Sequence, residues 1–236
     1  ADQPAPSPAR MVVHEDQYAG QSSAEKRAQV ADWLTEKGLD ATIVSALDSV
    51  AWLFNVRGAD VDRTPVALSF AVVGADGTAD LYIAPEKVDD AVRQHLGNAV
   101  RVHDRTEFAP ALSQLAGKKI AVDPERAVSA IFGVLQKGGA ELVELRDPTV
   151  LAKALKNPVE QAGHRAAQKR DGAALSSFLY WLSIEAPKGG ETELSAAAKL
   201  HGSREATGKL KDLSFDTISD AGPNAAVPHY KVNEES

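Results

Sequence analysis

The residues of this chain best suited to chemistry lie between positions 214 and 230. His229 follows a β-branched and aromatic run at residues 214–218 and a Gly222-Pro223-Asn224 turn signal. The pattern predicts a strand, a tight turn and a second strand that carries the histidine near its end. A histidine held in that way has the fixed pose that general acid–base catalysis needs. A purely structural histidine gives the same pattern, so both interpretations stay open.

The carboxylates around this histidine do not predict a metal site. Asp216 and Asp220 would lie on one face of a strand but about 13 Å apart, too far to share one ion. Glu234 and Glu235 belong to a terminus that we expect to fray. The sequence has no His-Glu-x-x-His pair, so we predict that this chain alone binds no metal.

Other catalytic and binding motifs are also missing from the sequence. It contains no Gly-x-Ser-x-Gly elbow and no glycine-rich phosphate loop, which argues against a serine hydrolase and against a nucleotide cofactor. Trp52 and Arg57 are interpreted as packing or interdomain docking residues. The remaining five histidines are interpreted as structural or surface residues: His14, His95, His103, His164 and His201.

The composition is that of an ordinary globular protein, and it argues against some classes of binding partner. The 236 residues are 44% hydrophobic and 25% charged, with a net charge of −7, and the whole acidic excess lies in residues 1–147. Neither part has the basic stripe that nucleic acid requires. No apolar run is long enough to cross a membrane, and the absence of cysteine fits a cytoplasmic protein. The first residue is Ala1 rather than Met, so the true start stays open.

The elements that must position these residues fall into three predicted regions. Residues 1–22 are proline-rich, without hydrophobic period, and predict an extended linker. Residues 23–147 alternate helix and strand signals, with a hairpin turn at residues 74–77, and predict an α/β domain of mixed sheet and helices. Ser23 and Asp48 are the expected caps of its first two helices.

Asp147-Pro148 is the predicted domain boundary, because a residue before proline resists helix formation. Residues 148–236 predict a long helix from Pro158, a second helix, and then strands around Phe215 and Val227. In the long helix one face is expected to be buried, and it carries Leu175, Phe178, Leu179 and Leu182.

Four segments of the sequence carry a family resemblance. Residues 48–60 read DSVAWLFNVRGAD, and residues 153–160 read KALKNPVE. Residues 170–175 read RDGAAL, and residues 214–230 read SFDTISDAGPNAAVPHY. Together, in this order, they resemble the Xaa-Pro aminopeptidases (aminopeptidase P), which are pita-bread metallopeptidases. The resemblance implies a creatinase-like accessory domain followed by only the first part of an α+β pita-bread domain. Ala225 and Pro228 depart from the family pattern beside His229.

The resemblance also implies an activity for the complete enzyme. It would release the N-terminal residue from peptides with proline in second position, using two divalent ions, manganese or zinc. The five metal ligands of the family would lie beyond Ser236, so we expect this chain alone to be inactive. His229 is the implied catalytic and substrate-binding residue. A homodimer is implied, and a second chain could carry the rest of the catalytic domain.

Two other functions stay open at this stage. A prolidase-like dipeptidase has the same catalytic fold, although residues 48–60 favour aminopeptidase P. A non-catalytic pita-bread-like scaffold would keep the fold as a binding surface without metal ligands. Whether the chain is truncated, nicked or incompletely observed is not set by its sequence, and neither are its metal and its peptide specificity.

Overall fold

A computed structural model describes residues 7–234, and the chain divides into two compact units, Ala1–Glu160 and Gln161–Ser236. The helices and strands are, in chain order, β1 (Val12–Val13), α1 (Asp16–Ala19), α2 (Ser23–Glu36), β2 (Ala41–Val44), α3 (Leu47–Leu53), β3 (Val56–Arg57), β4 (Ser69–Gly74), β5 (Ala79–Ile83), α4 (Asp90–Leu96), β6 (Val100–His103), α5 (Phe108–Leu112), β7 (Lys119–Val122), α6 (Ser129–Lys137), β8 (Glu141–Glu144), α7 (Thr149–Ala154), α8 (Pro158–Glu185) and α9 (Glu193–Glu205).

A six-stranded mixed sheet organises the first unit, in the order β6-β5-β4-β2-β7-β8. The pairs β2–β4 and β4–β5 are antiparallel, whereas β2–β7, β5–β6 and β7–β8 are parallel. The hairpin turn predicted at residues 74–77 joins β4 to β5, with Gly77 at a φ of 78° where a side chain would be strained. The mixed-sheet α/β prediction is confirmed.

Both faces of this sheet are covered by helices. Alternate residues of β2 point to opposite cores: Val44 packs with α2, α3 and α4, whereas Ile43 packs with α5 and α6. All four β2 residues are buried, which explains why this strand is nearly free of polar residues. The first unit is therefore a three-layer sandwich with the sheet in the middle.

Residues 7–22 are packed within the first unit, which differs from the extended linker predicted for residues 1–22. Met11 is buried and donates its backbone N–H to Lys87 O at 2.9 Å. The strand β1 pairs with β3, and α1 follows at once. The prediction from the proline-rich composition overlooked the short apolar run Met11-Val12-Val13, whose first residue lies in the core. Residues 1–6 lie outside the described residues.

Both predicted helix caps were wrong. Ser22, not Ser23, caps α2 through a reciprocal pair of bonds with Glu25. Asp48 lies in the first turn of α3, whose N-cap is Ala46, and it pairs with Lys153 instead of capping. In both helices the chain enters one or two residues earlier than the sequence pattern suggested, and serine or aspartate is also stable in a first helical turn.

The compact units divide between Glu160 and Gln161, whereas the sequence pattern places the domain boundary at Asp147-Pro148. Helix α7 accounts for the difference, because it packs within the first unit. Thr149 is completely buried, and Lys153 binds Asp48 of α3. A proline marks a break in local structure, but packing decides which unit a helix joins.

The second unit contains most of α8, and α9, and no strand among residues 161–234. The strands predicted around Phe215 and Val227 are therefore corrected: a 3₁₀ turn covers Gly222–Ala226. A strand needs a hydrogen-bonded neighbour, and the described residues provide none. The expected buried stripe of α8 is also corrected, since Phe178 is buried but Leu175 and Leu179 are 37% and 53% exposed.

Candidate functional site

His229 lies on the surface of the second unit, in a backbone conformation that few residues adopt. Its φ is 55°, in the left-handed region, and it stands between Pro228 and Tyr230. For a residue with a side chain this conformation costs about 1 kcal/mol and persists where neighbouring bonds hold it. Within residues 7–234 its imidazole has no hydrogen bond or ion pair. The residue is exposed to solvent.

The segment before His229 is anchored to the start of α9. The Glu193 carboxylate accepts the backbone N–H of Ala221 at 2.6 Å, and both of its oxygens lie 3.2 Å from Nδ2 of Asn224. The Ser219 hydroxyl donates to the backbone carbonyl of Glu193 at 2.8 Å. Asn224 also donates to the hydroxyl of Tyr230 at 3.1 Å. These bonds join the Gly-Pro-Asn turn to the residue that follows His229.

A second polar site in this unit joins α8 to the end of α9. Arg204 donates two bonds to the carboxylate of Asp171, at 2.7 and 3.3 Å. The pair lines a cavity of about 150 Å³ together with Arg170 and Lys209. The Arg-Asp-Gly segment noted in the sequence thus contributes an interhelical ion pair, which is a packing role.

The described residues do not supply a metal centre. Among residues 7–234, no three or more histidine or carboxylate side chains are grouped so that they could hold an ion. Asp216 and Asp220, weighed as ligands on a strand, lie in irregular chain instead. Glu234 is at the edge of the described chain, and Glu235 lies outside it. None of the helices described is both long and apolar enough to span a membrane.

In the first unit, the segment at residues 48–60 is built into the core. The Lys26 ammonium donates to Trp52 O at 3.0 Å and to Asn55 Oδ1 at 2.5 Å, and lies 4.3 Å from the centre of the Trp52 ring. Burial lowers the pKa of Lys26 to about 8. Asn55, at a φ of 50°, turns its amide nitrogen to Asp16 and to Gln21 O.

The end of the same segment is fixed by a buried ion pair. Asp60 binds the ammonium of Lys87, with side chains 1% and 5% exposed, and accepts the backbone N–H of Leu68 at 2.8 Å. Arg57 donates to the backbone carbonyls of Ala51 and Val56. These contacts support the packing interpretation of Trp52 and Arg57.

The other histidines take part in local structure or lie on the surface. Burial, helped by the nearby positive charges of Arg57 and Lys26, lowers the pKa of His14. The side-chain Nε2 atoms of His95 and His103 lie 2.8 Å from Phe54 O and 2.7 Å from Asp80 Oδ1. His201 Nε2 lies 3.2 Å from Glu205 Oε1, and His164 is exposed.

The sequence interpretation missed Glu193 and Lys26, the residues that hold each motif in place. Lys26 looks like an ordinary polar position of an amphipathic helix, and its burial follows from contacts with residues 52 and 55. Glu193 had one available signal: it directly follows Thr192, the cap of α9. An acidic residue there is usual, so its bond to a distant segment could not be read from the pattern.

Family models match both units. The creatinase/prolidase N-terminal domain matches residues 2–160. This chain belongs to that family. Metallopeptidase family M24 matches residues 162–236, which confirms the prediction that the creatinase-like domain is followed by the first part of a pita-bread domain. The two matches also coincide with the two compact units of the structure.

Relatives of this creatinase-like chain carry aminopeptidase names. It is 41% identical over 249 positions to the probable Xaa-Pro aminopeptidase P of Paracoccidioides brasiliensis, covering 100% of this chain and 40% of that protein. It is 40% identical over 247 positions to the probable Xaa-Pro aminopeptidase P of Aspergillus clavatus, of which it covers 37%. The chain thus spans about 40% of the length of these relatives.

Solved structures agree with these relatives. X-prolyl aminopeptidase from Caenorhabditis elegans, described as a cytosolic enzyme with a di-nuclear active site, superposes with a TM-score of 0.90 at 31% identity, over 99% of this chain and 39% of that one. The Xaa-Pro dipeptidase of Bacillus anthracis, with a TM-score of 0.59 at 14% identity over 79% of this chain and 50% of that one, shares the fold alone.

Proposed function

We propose that this chain is the accessory domain and the opening part of the catalytic domain of a metal-dependent Xaa-Pro aminopeptidase. The complete enzyme would release the N-terminal residue from peptides whose second residue is proline. The observation that carries the proposal is the alignment of the whole chain, at 41% identity, with a protein named for that activity. The TM-score of 0.90 with the Caenorhabditis elegans enzyme supports it independently.

Two divalent metal ions belong to this proposal. The M24 match and the di-nuclear site of the Caenorhabditis elegans enzyme support them. The residues described here do not fit a metal centre, since no ligand group occurs among positions 7–234. We infer that the ligands lie outside this chain and that the chain alone has no peptidase activity. Manganese and zinc are the candidate ions, and metal analysis of the active protein would distinguish them.

His229 is the proposed catalytic and substrate-binding residue. Its ring is exposed and has no partner among the described residues, so it is able to bind a peptide at the scissile bond and to move a proton there. Its fixed, strained backbone supports this role, because such conformations cluster at active sites.

Location and assembly are also proposals. The cytosolic description of the Caenorhabditis elegans enzyme supports a cytoplasmic location. A homodimer is proposed from family resemblance alone, and sedimentation of the active protein would measure it. A second chain that carries the rest of the catalytic domain would appear as a further fragment in an intact-mass measurement of the source sample.

The test requires the longer protein from which this chain comes. With manganese or zinc added, it should cleave an Xaa-Pro-Xaa peptide, and the 236-residue chain should not. His229→Ala should lower kcat/KM by roughly 10²–10⁴-fold, the usual contribution of an acid–base group. The matched control is His164→Ala, an exposed helical histidine that should leave activity unchanged.

Two results would contradict the proposal. Cleavage restricted to dipeptides would indicate a prolidase-like enzyme. No cleavage by a metal-loaded longer protein would favour a non-catalytic scaffold, whose binding surface would be the exposed apolar residues of the second unit, among them Tyr180 and Phe215.

A further inference from the structure

The carboxylate of Glu193 is not needed by its own helix. The first turn of α9 is capped by Thr192, whose hydroxyl accepts the Ser195 N–H at 3.1 Å while Ser195 Oγ accepts the Thr192 N–H at 2.9 Å. A glutamate at this position also gains from the helix dipole, but that effect needs no partner elsewhere in the chain. Glu193 is therefore free to bind a second segment.

Glu193 binds that second segment at three positions. Its carboxylate accepts from Ala221 N and from Asn224 Nδ2, and its backbone carbonyl accepts from Ser219 Oγ. Bonds of N–H donors to a carboxylate are among the stronger hydrogen bonds in proteins. One residue of α9 therefore fixes both the position and the orientation of the Gly-Pro-Asn turn.

Further hydrogen bonds connect the turn that Glu193 fixes to His229. Asn224 donates its side-chain amide to Tyr230 Oη at 3.1 Å, and its backbone carbonyl accepts from Val227 N at 3.0 Å. Tyr230 N in turn donates to Val227 O at 3.2 Å. His229 is enclosed between these bonds, at its positive φ. Bonds of this kind are what such a backbone conformation needs in order to persist.

We propose that Glu193 is a positioning residue for His229. Its carboxylate fixes the turn and, through Asn224 and Tyr230, the backbone that presents the imidazole. This inference rests on the proposed peptidase function, since only a catalytic His229 needs such accuracy. A displacement of about 1 Å at a catalytic group commonly costs a factor of about 10² in rate.

The first experiment uses the 236-residue chain and measures amide hydrogen exchange at Ala221. Glu193→Ala removes both carboxylate oxygens, so Ala221 N loses its acceptor and its exchange should accelerate about tenfold or more. Glu191→Ala is the matched control: it makes the same truncation two residues away, where the carboxylate contacts Ser195 and not the turn. Equal exchange in both variants overturns the inference.

The second experiment measures peptide cleavage by the longer, metal-loaded protein. Glu193→Ala should lower kcat by roughly 10–100-fold with KM within about twofold, and Glu191→Ala should change neither. The double variant Glu193→Gln with Asn224→Asp exchanges donor and acceptor, and it should recover much of the lost kcat. Melting temperatures of all variants check that they fold.

The outcomes separate the two proposals. Faster exchange at Ala221 with unchanged kcat would overturn the positioning role, because the turn would then be held without consequence for catalysis. A rise in KM with kcat unchanged would also overturn it. If the wild-type longer protein cleaves no Xaa-Pro peptide, the proposed function fails, and exchange at Ala221 still decides whether Glu193 holds the segment.

Discussion

Lys26 is a nearly fully buried lysine that is held by neutral groups. Its ammonium donates to Trp52 O and to Asn55 Oδ1, beside the face of the Trp52 ring. Asn55 continues the network to Asp16 and to Gln21 O. One side chain of α2 therefore joins α3 to the residues that precede α2, and the network depends on the amine as a donor.

Replacing this amine should weaken the first unit. Lys26→Met keeps most of the side-chain volume but leaves Asn55 Oδ1 buried without its donor, so we expect a loss of roughly 1–2 kcal/mol in the free energy of unfolding. Urea denaturation followed by tryptophan fluorescence measures it. The control Lys37→Met, at the exposed end of the same helix, should stay within about 0.5 kcal/mol. A Lys26→Met protein as stable as this control would contradict the prediction.

The same lysine predicts a dependence of stability on pH. Its pKa in the folded chain is about 8, against 10.5 for an ordinary lysine, so the unfolded chain binds more protons between those values. The free energy of unfolding contributed by Lys26 should therefore rise as the pH rises from about 8 towards 10.5, and it should be constant below. The difference in unfolding free energy between wild type and Lys26→Met, measured at pH 7.5 and 9.5, isolates this contribution. An equal difference at both pH values would contradict it.

At the scale of elements, the start of α8 is fixed by contacts as well as by local pattern. Asn157 and Glu160 form a reciprocal cap: Asn157 Oδ1 accepts from Glu160 N at 3.0 Å, and Glu160 Oε2 accepts from Asn157 N at 2.9 Å. Asn157 also donates to Ala19 O at 2.7 Å. Gly20 follows immediately, with a φ of 68°. A helix of 28 residues thus begins at a point that residues 19 and 20 help to define.

Gly20 should therefore tolerate no side chain. A Cβ there would collide with Asn157 and would stand 2.7 Å from Val159 Cβ, whereas a Cβ at Gly38, whose φ is 64°, would meet nothing within 4 Å. Both alanine variants pay the backbone strain of about 1 kcal/mol, but Gly20→Ala should lose roughly 1–3 kcal/mol more. Thermal unfolding of the two variants gives the comparison. Equal losses would show that the chain relaxes around residue 157.

The elements that sequence alone predicted are those whose pattern is local. The hairpin turn predicted at residues 74–77 joins β4 to β5, and the long helix predicted from Pro158 is α8. The strands expected at residues 214–230 failed, because a strand is completed by a neighbour that the pattern cannot name. His229 could be chosen from its motif, but Glu193 could not. Glu193 reaches the His229 segment through hydrogen bonds to Ala221 and Asn224, which lie 28 and 31 residues further along the chain.

At the scale of the whole molecule, the two units differ in how many apolar side chains they bury. The first unit has a core on each face of its sheet. Among the described residues of the second unit, only Ala174 and Phe178 are buried, and both belong to α8. Leu179 and Tyr180 of the same helix are exposed. Local opening is governed by such differences in buried apolar contact.

Hydrogen exchange should therefore separate the units in the 236-residue chain. Peptides from β2, β4, β5 and β7 should stay protected for at least about 100 times longer than peptides from α8 beyond residue 161 and from α9. Mass spectrometry of the exchanged protein measures this. In the longer protein, protection of α8 should rise, because the rest of the proposed catalytic domain would cover its apolar face. Equal protection of both units in the short chain would contradict the prediction.

The order of strands in the sheet has a consequence for synthesis on the ribosome. The strand β2 lies between β4 and β7, yet residues 45–118 separate it from β7 along the chain. At a translation rate of ~5–20 residues/s, roughly 4–15 s pass between the emergence of these two strands. During that interval the edge of β2 that pairs with β7, at residues 41–43, has no native neighbour, and the nascent chain exposes it to chaperones or to other nascent chains. Slow codons after residue 44 would prolong this exposure, and fast ones would shorten it.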